Sequence, residues 1–164
     1  MKPNTSVSIS SLPARIELVW RIQGADGVSY ADAAFSPDGG TVVAVSRRGA
    51  EKDHTSAEGE FRVEAFDVLS GASKWVAPIE RDRMQTAVVV GRDWCAVLHE
   101  GFKGERAPRT CTTLSLADGK PIPFAPPKDT IELIAPTRDG VGLWVVTTLG
   151  IVVRVDRAMQ APPK

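Results

Sequence analysis

The chain has 164 residues, the size of one ordinary domain, and a chain of this length buries roughly two thirds of its unfolded surface on folding. Twenty basic residues balance twenty acidic ones, which excludes long-range attraction of nucleic acid or of an anionic membrane, so neither is an expected partner. The opening MKPNTSVSISSLPARIEL lacks the apolar run of a signal peptide and no stretch approaches the roughly 18 apolar residues of a membrane span, so a soluble, cytoplasmic protein is the expectation.

Valine is abundant, helical periodicity is scarce, and Gly, Pro and Asp-Gly clusters punctuate the chain about every ten residues, a pattern of many short strands. The fold class expected is all-β. After a flexible tail over 1–14 comes IELVWRI, Ile16–Ile22, with Ile16, Leu18 and Trp20 on one face and Glu17, Val19 and Arg21 on the other. Such a strand needs a sheet to cover one side. Strands are then predicted over Ala31–Phe35 and Thr41–Arg47, joined by SPDGG, in which Pro37 presets φ, Asp38 can accept backbone N–H groups and glycine takes positive φ. Glu60–Asp67, Lys74–Ile79, Thr86–Val90, Trp94–Glu100 and Arg109–Leu116 follow. Pro121–Pro127 could add a distorted strand, at an edge because proline has no donor for a ladder. Ile131–Ala135, Leu143–Thr148 and Ile151–Asp156 complete the set, and 158–164 read as a second tail.

Three segments repeat an apolar strand, a polar turn with an aspartate and a second apolar strand: AAFSPDGGTVVAV, AVVVGRDWCAVL and LIAPTRDGVGLWVV. Their turn aspartates are Asp38, Asp93 and Asp139. Each is followed by a third strand, and aligning Asp67, Ser115 and Asp156 in those strands gives spacings of 48 and 41 residues. Repeats of roughly 40–50 residues are the size of a four-stranded propeller blade. Three blades are predicted, over about 30–80, 84–127 and 130–157, within one domain at 15–157.

FSPDGG at 35–40, the TVVAVS that follows and FRVEAFDVLSGASKW at 61–75 together resemble β-propeller repeats of the TolB and WD-repeat-like superfamily. The later half of that unit also resembles a quinoprotein-type repeat, with its aspartate, glycine turn and tryptophan. The likeness rests on 30–79, thins over 84–127 and is one of pattern alone over 130–157. No WD dipeptide ends a third strand and no GH pair opens a blade. The resemblance implies four-stranded antiparallel blades, with IELVWRI completing the last one. Propellers close with about four to eight blades, so three leave apolar faces that need a partner, and two copies would supply a six-bladed ring. Trp20, Trp75, Trp94 and Trp144 fall in or beside strands and are expected to pack between blades.

Candidate chemistry is sparse. Asp53 and His54, with Glu51 and Glu58, could hold a metal, but no ligand spacing recurs and a solvated charged loop is the better reading. Cys95 and His99 share one strand face and Cys111 lies on the probable partner strand, so three soft ligands could meet; a zinc site wants a fourth ligand, and reduced, buried cysteines beside a rim histidine are favoured. Ser70, in LSGAS, belongs to a strand-connecting turn and not to a nucleophile elbow, and GGTVVAVS lacks the GK[ST] of a phosphate loop. No catalytic residue and no cofactor is expected.

The long charged connection RRGAEKDHTSAEGE and its counterpart EGFKGERAPR both join a second to a third strand, so they are expected on one face of the array. Arg47, Arg48, Lys52, His54, Lys103, Arg106 and Arg109 are the candidate partner-binding residues. The function expected is a non-catalytic protein–protein interaction or assembly module, pairing with itself as a homodimer or with another propeller chain. The rival readings are an enzyme of the propeller lactonase or quinoprotein kind, with its site in the central channel, and a fragment of a longer split propeller.

Overall fold

The structure, a computed structural model, describes residues 28–49, 60–79, 87–100, 109–123, 127 and 130–156. The predicted strand Ile16–Ile22 and both predicted tails lie outside them. Among the described residues there are ten strands and no helix: β1 (Val28–Phe35), β2 (Thr41–Arg48), β3 (Glu60–Asp67), β4 (Ser73–Ile79), β5 (Ala87–Val90), β6 (Trp94–Glu100), β7 (Arg109–Ser115), β8 (Ile131–Pro136), β9 (Leu143–Thr147) and β10 (Val152–Val155). They form three antiparallel sheets in the orders β1-β2-β3-β4, β5-β6-β7 and β8-β9-β10. Four described strands occur in the first sheet alone. In the second, the expected strand at Pro121–Pro127 reduces to a bridge between Leu114 and Pro121 and a bond from Ile122 N to Thr113 O at 2.9 Å, since two prolines within 121–123 remove ladder donors.

Local turn chemistry sets the hairpins. Thr41 N donates to Ser36 Oγ at 2.9 Å, Gly40 N donates to Asp38 Oδ1 at 3.0 Å, the Ser36 hydroxyl donates to Asp38, and Gly39 takes φ 71°. The β8–β9 turn repeats this bond for bond, with Thr137 for Ser36, Asp139 for Asp38, Gly140 at φ 71° for Gly39 and Gly142 for Thr41. The two first strands also share a bulge at the same place, at Tyr30/Asp32 and at Ile131/Leu133. The middle turn differs from the sequence alignment. Gly91 N donates to Trp94 O across Arg92 and Asp93 alone, and Gly91 has no hydroxyl with which to hold an aspartate. Asp93 is therefore not a structural counterpart of Asp38 and Asp139. The third-strand alignment does fall in register: Asp67 opposes Thr41, Ser115 opposes Trp94, and Asp156 follows Val155, which opposes Leu143.

The first strands of the sheets lie in succession, β5 against both β1 and β8, and Asp32 Oδ2 accepts from Val88 N at 2.8 Å. Each sheet thus stacks its forward face on the rear face of the next in chain order. Val43, Val45 and Val63 of the first sheet meet Val88, Cys95 and Val97 of the second. Trp94, Ala96 and Leu98 of the second meet Ile134, Leu143 and Val145 of the third. Two tryptophans bolt these layers together. Trp75 Nε1 donates to Leu116 O at 2.8 Å, and Trp94 Nε1 donates to Gly140 O at 3.0 Å and Val141 O at 3.1 Å. Gly91 makes room for the second indole, where a Cβ would overlap the ring. Among the described residues the three sheets do not close into a ring.

Candidate functional site

Of the predicted partner-binding residues, Lys52, His54, Lys103 and Arg106 lie outside the described residues, as do Glu51, Asp53 and Glu58. The connections 49–59 and 101–108 do join second to third strands, β2 to β3 and β6 to β7, so they leave equivalent ends of adjacent sheets. Arg47 lies over the Phe61 ring, 5.7 Å from its centroid, a cation–π contact within its own sheet. Arg48 is exposed and opposes Glu60, whose carboxyl is held low by the hydrogen bond from Arg62 at 2.6 Å. Arg109 reaches across to the third sheet, donating to Glu132 O at 3.1 Å with the Glu132 carboxylate at 3.7 Å. It is thus a tie between layers at the foot of its loop.

The imagined thiol–histidine set does not assemble. Cys95 and His99 occupy the rear face of the second sheet, whereas Cys111 opposes Leu98 and packs on the forward face. The His99 ring lies 2.8 Å from the Thr112 hydroxyl through Nε2 and 3.2 Å from that of Thr110 through Nδ1. Burial pushes both thiols up to about 12, so both stand as protonated thiols at neutral pH. Among the described residues no group of three His, Cys, Asp or Glu side chains is placed to hold a metal ion. Ser70 donates to Asp67 Oδ1 at 2.8 Å, inside the β3–β4 turn. On β1, Asp32 accepts from Ala33 N through one oxygen and Val88 N through the other, so it serves the scaffold.

A feature with binding chemistry lies at the ends of the sheet stack, where three blades were expected to leave apolar faces uncovered. Register relates Trp144 to Val43 and Ala96, and Val152 to Val63. Val43, Ala96 and Val63 are fully buried against the next sheet; Trp144 is 40% and Val152 62% exposed. Leu133 and Arg154 belong to the same forward face of the third sheet, also exposed. At the other end, Phe35 on the rear face of the first sheet is 64% exposed, while its counterpart Val90 is 4% exposed. Trp144 departs from the expected packing between layers because no described sheet follows it. The apolar alternation on both sides of LWVVT and VVRV was the signal for a doubly covered sheet.

At the turn end of that forward face, Thr137, Arg138, Asp139, Trp144 and Arg154 line an open hollow. Arg154 donates to Asp156 at 2.7 Å and lies 3.4 Å from the Asp139 carboxylate. Asp139 is held below the usual carboxylate range, first by the Thr137 hydroxyl and then by the Val141 N–H. The hollow therefore offers an indole face and guanidinium donors to an incoming backbone or carboxylate.

No family model matches the chain, and no curated protein does. Among solved structures the chain is similar to the hydrazine synthase of Kuenenia stuttgartiensis, with a TM-score of 0.50 and 18% identity over 75% of this chain and 38% of that one. It is also similar to a chain from a structural and mechanistic analysis of two prolyl endopeptidases, with a TM-score of 0.46 and 16% identity over 82% of this chain and 20% of that one. Both neighbours are propeller-containing proteins. At 18% identity the likeness to the first is one of fold. Among the described residues no helix is long and apolar enough to cross a membrane.

Proposed function

We propose that the chain is a non-catalytic protein–protein interaction or assembly module: three propeller-type blades that await further β-structure to complete the array. The observation that carries this reading is the forward face of the third sheet, exposed at Trp144 and Val152 where the corresponding positions of the first two sheets are sealed by a neighbour. Apolar faces built for stacking are normally covered, and an uncovered one marks an interaction surface. In this reading IELVWRI pairs along β10 as the fourth strand of its blade. The charged loops at 49–59 and 101–108, with Arg47, Arg48, Lys52, His54, Lys103, Arg106 and Arg109, form a second contact surface.

A cysteine placed on the face tests this. The thiol of Val152→Cys should label rapidly in the dilute chain and at least tenfold more slowly in the assembled state, against a negligible background from Cys95 and Cys111. Equal labelling in dilute, concentrated and native-extract samples would overturn the module reading.

A further inference from the structure

One turn in the stack is gripped by a neighbouring sheet, while its twin is held, among the described residues, only from within its own sheet, by Val68 N on Gly40 O at 3.1 Å and Lys74 Nζ on Thr41 Oγ1 at 2.9 Å. Arg92 N donates to Gly140 O at 2.9 Å, the Arg92 guanidinium to Asp139 O at 3.0 Å, and Trp94 Nε1 to the Gly140 and Val141 carbonyls, so the β8–β9 turn is clasped by the sheet behind it. Gly140 is buried there, and a Cβ on it would lie 3.2 Å from Arg92 N. Among the described residues the bond-for-bond equivalent turn at Ser36–Thr41 has no such clasp from another sheet. Asp38, Gly39 and Gly40 are exposed, and a Cβ on Gly39 would meet nothing within 4 Å.

One of the two clasping groups, the arginine, is also duplicated, while Gly142 stands where Trp94 does. Arg138 follows Thr137 as Arg92 follows Gly91, at the same end of the same face. Arg138 is exposed and makes no hydrogen bond or ion pair among the described residues. It borders the hollow with Trp144 and Arg154. The stack thus ends in an unfilled clasp and begins with an unclasped turn of the kind that this clasp fits.

We infer that the partner is a second copy of this chain, joined head to tail, with the Pro37–Gly40 turn of each copy seated between Arg138, Trp144 and Arg154 of the other. This rests on the assembly reading and names the occupant of the face described there. The contact repeats the arginine-to-turn part of the interface that the chain makes between its second and third sheets. It is complementary in charge at Arg138, because Asp38 brings a carboxylate to the one guanidinium of the hollow not already paired with Asp139 and Asp156, and it covers the exposed Phe35 as Val90 is covered. The middle of the first sheet's rear face, Val42, Ala44 and Phe66, is already closed with Val68 packed on it, so the new contact lies at the turn end. Two such contacts are related by a twofold axis and close, leaving no free end to propagate.

Charge exchange tests the pairing. Asp38→Arg alone and Arg138→Glu alone place like charges at both contacts, so sedimentation should show self-association weakened at least tenfold for each. An equimolar mixture should recover a dimer containing one of each, because one contact then joins the two substituted side chains and the other the two native ones. Asp38 also holds its own turn, so Gly39→Asn is the companion variant: asparagine tolerates positive φ, the lone chain has room for it, and a clasp like that on Gly140, where a Cβ comes within 3.2 Å of Arg92 N, is crowded by it. It should be a monomer that melts cooperatively. Failure of the mixture to recover the dimer, or a wild-type dimer unaffected by Gly39→Asn, would overturn the inference. Should wild type stay monomeric at tens of micromolar while Val152→Cys is protected in native extract, the occupant is a different chain: this inference falls and the module reading stands.

Discussion

Replacing Trp94 by alanine should separate the third sheet from the second. The indole is fully buried, fills the space left by Gly91, and donates to two carbonyls of the β8–β9 turn. Truncating a buried aromatic to alanine costs about 3–5 kcal/mol through lost transfer energy and the cavity left behind. Of this, about 0.5–1.5 kcal/mol belongs to the lost N–H donor. Gly140 O keeps Arg92 N as a donor, so the turn is not wholly orphaned. Against a domain stability of about 5–15 kcal/mol, a loss of ~4 kcal/mol with a urea slope near 2 kcal/mol per molar moves the midpoint down by about 2 M. Hydrogen exchange supplies the second readout: amides of β8–β10 should open before those of β1–β4, because the bolt joins the third sheet to the rest. Trp144→Ala is the control, since that indole is exposed and should cost under about 1 kcal/mol in the dilute chain. Equal midpoints for the two variants, or uniformly faster exchange in Trp94→Ala, would refute the reasoning.

Gly91→Ala should destabilise by about 1–3 kcal/mol or more, as the new Cβ overlaps the Trp94 indole, while Gly39→Ala should cost about 1–2 kcal/mol through positive φ alone; thermal denaturation ranks them, and the reverse order would contradict the packing. The carboxylates of Asp38, Asp67, Asp118 and Asp139 are held low by hydrogen bonds from Ser36, Ser70, Lys120 and Thr137 respectively, Asp118 to about 2. A folded-state value below the unfolded value of about 3.9 contributes stability that is complete above the unfolded value and lost as pH falls toward the folded one. The melting temperature should therefore fall between about pH 4 and pH 2, less steeply in Asp118→Asn; an identical profile for that variant would remove the Lys120 pairing from the account. Deleting residues 1–22 should accelerate exchange of the β10 amides if IELVWRI pairs beside that strand, and unchanged exchange there would rule the pairing out.

The hairpins were legible because their determinants are local. SPDGG specifies its own capped turn, and TRDGVG specifies the same one, so two of the three first-to-second-strand connections follow from residue chemistry within six positions. Asp93 was misaligned for an equally local reason: the hydroxyl that holds Asp38 and Asp139 is replaced by Gly91, and glycine stands there for the Trp94 ring, a contact between residues that sequence reading does not weigh. The start of β1 was missed because a bulge lets the polar Val28–Asp32 stretch pair with β2. Whether Cys111 shares a face with Cys95 depends on the register across residues 101–108, and a slip of one residue there would exchange the faces. Arg138, Trp144 and Arg154 converge through stacking of strands that no spacing rule connects, so the hollow was invisible until the sheets were placed. Arg109 was marked for its charge and its loop; its reach to Glu132 depends on which sheet follows.

The central claim is that the exposed forward face of the third sheet is covered by association, and the mass of the native particle tests it most directly. Native mass spectrometry of the full chain across a dilution series should show a particle of twice the 17.6 kDa chain that dissociates on dilution, with Gly39→Asn remaining at 17.6 kDa throughout. A wild-type chain at 17.6 kDa at every concentration, labelled at Val152→Cys equally in dilute solution and in native extract, would contradict it.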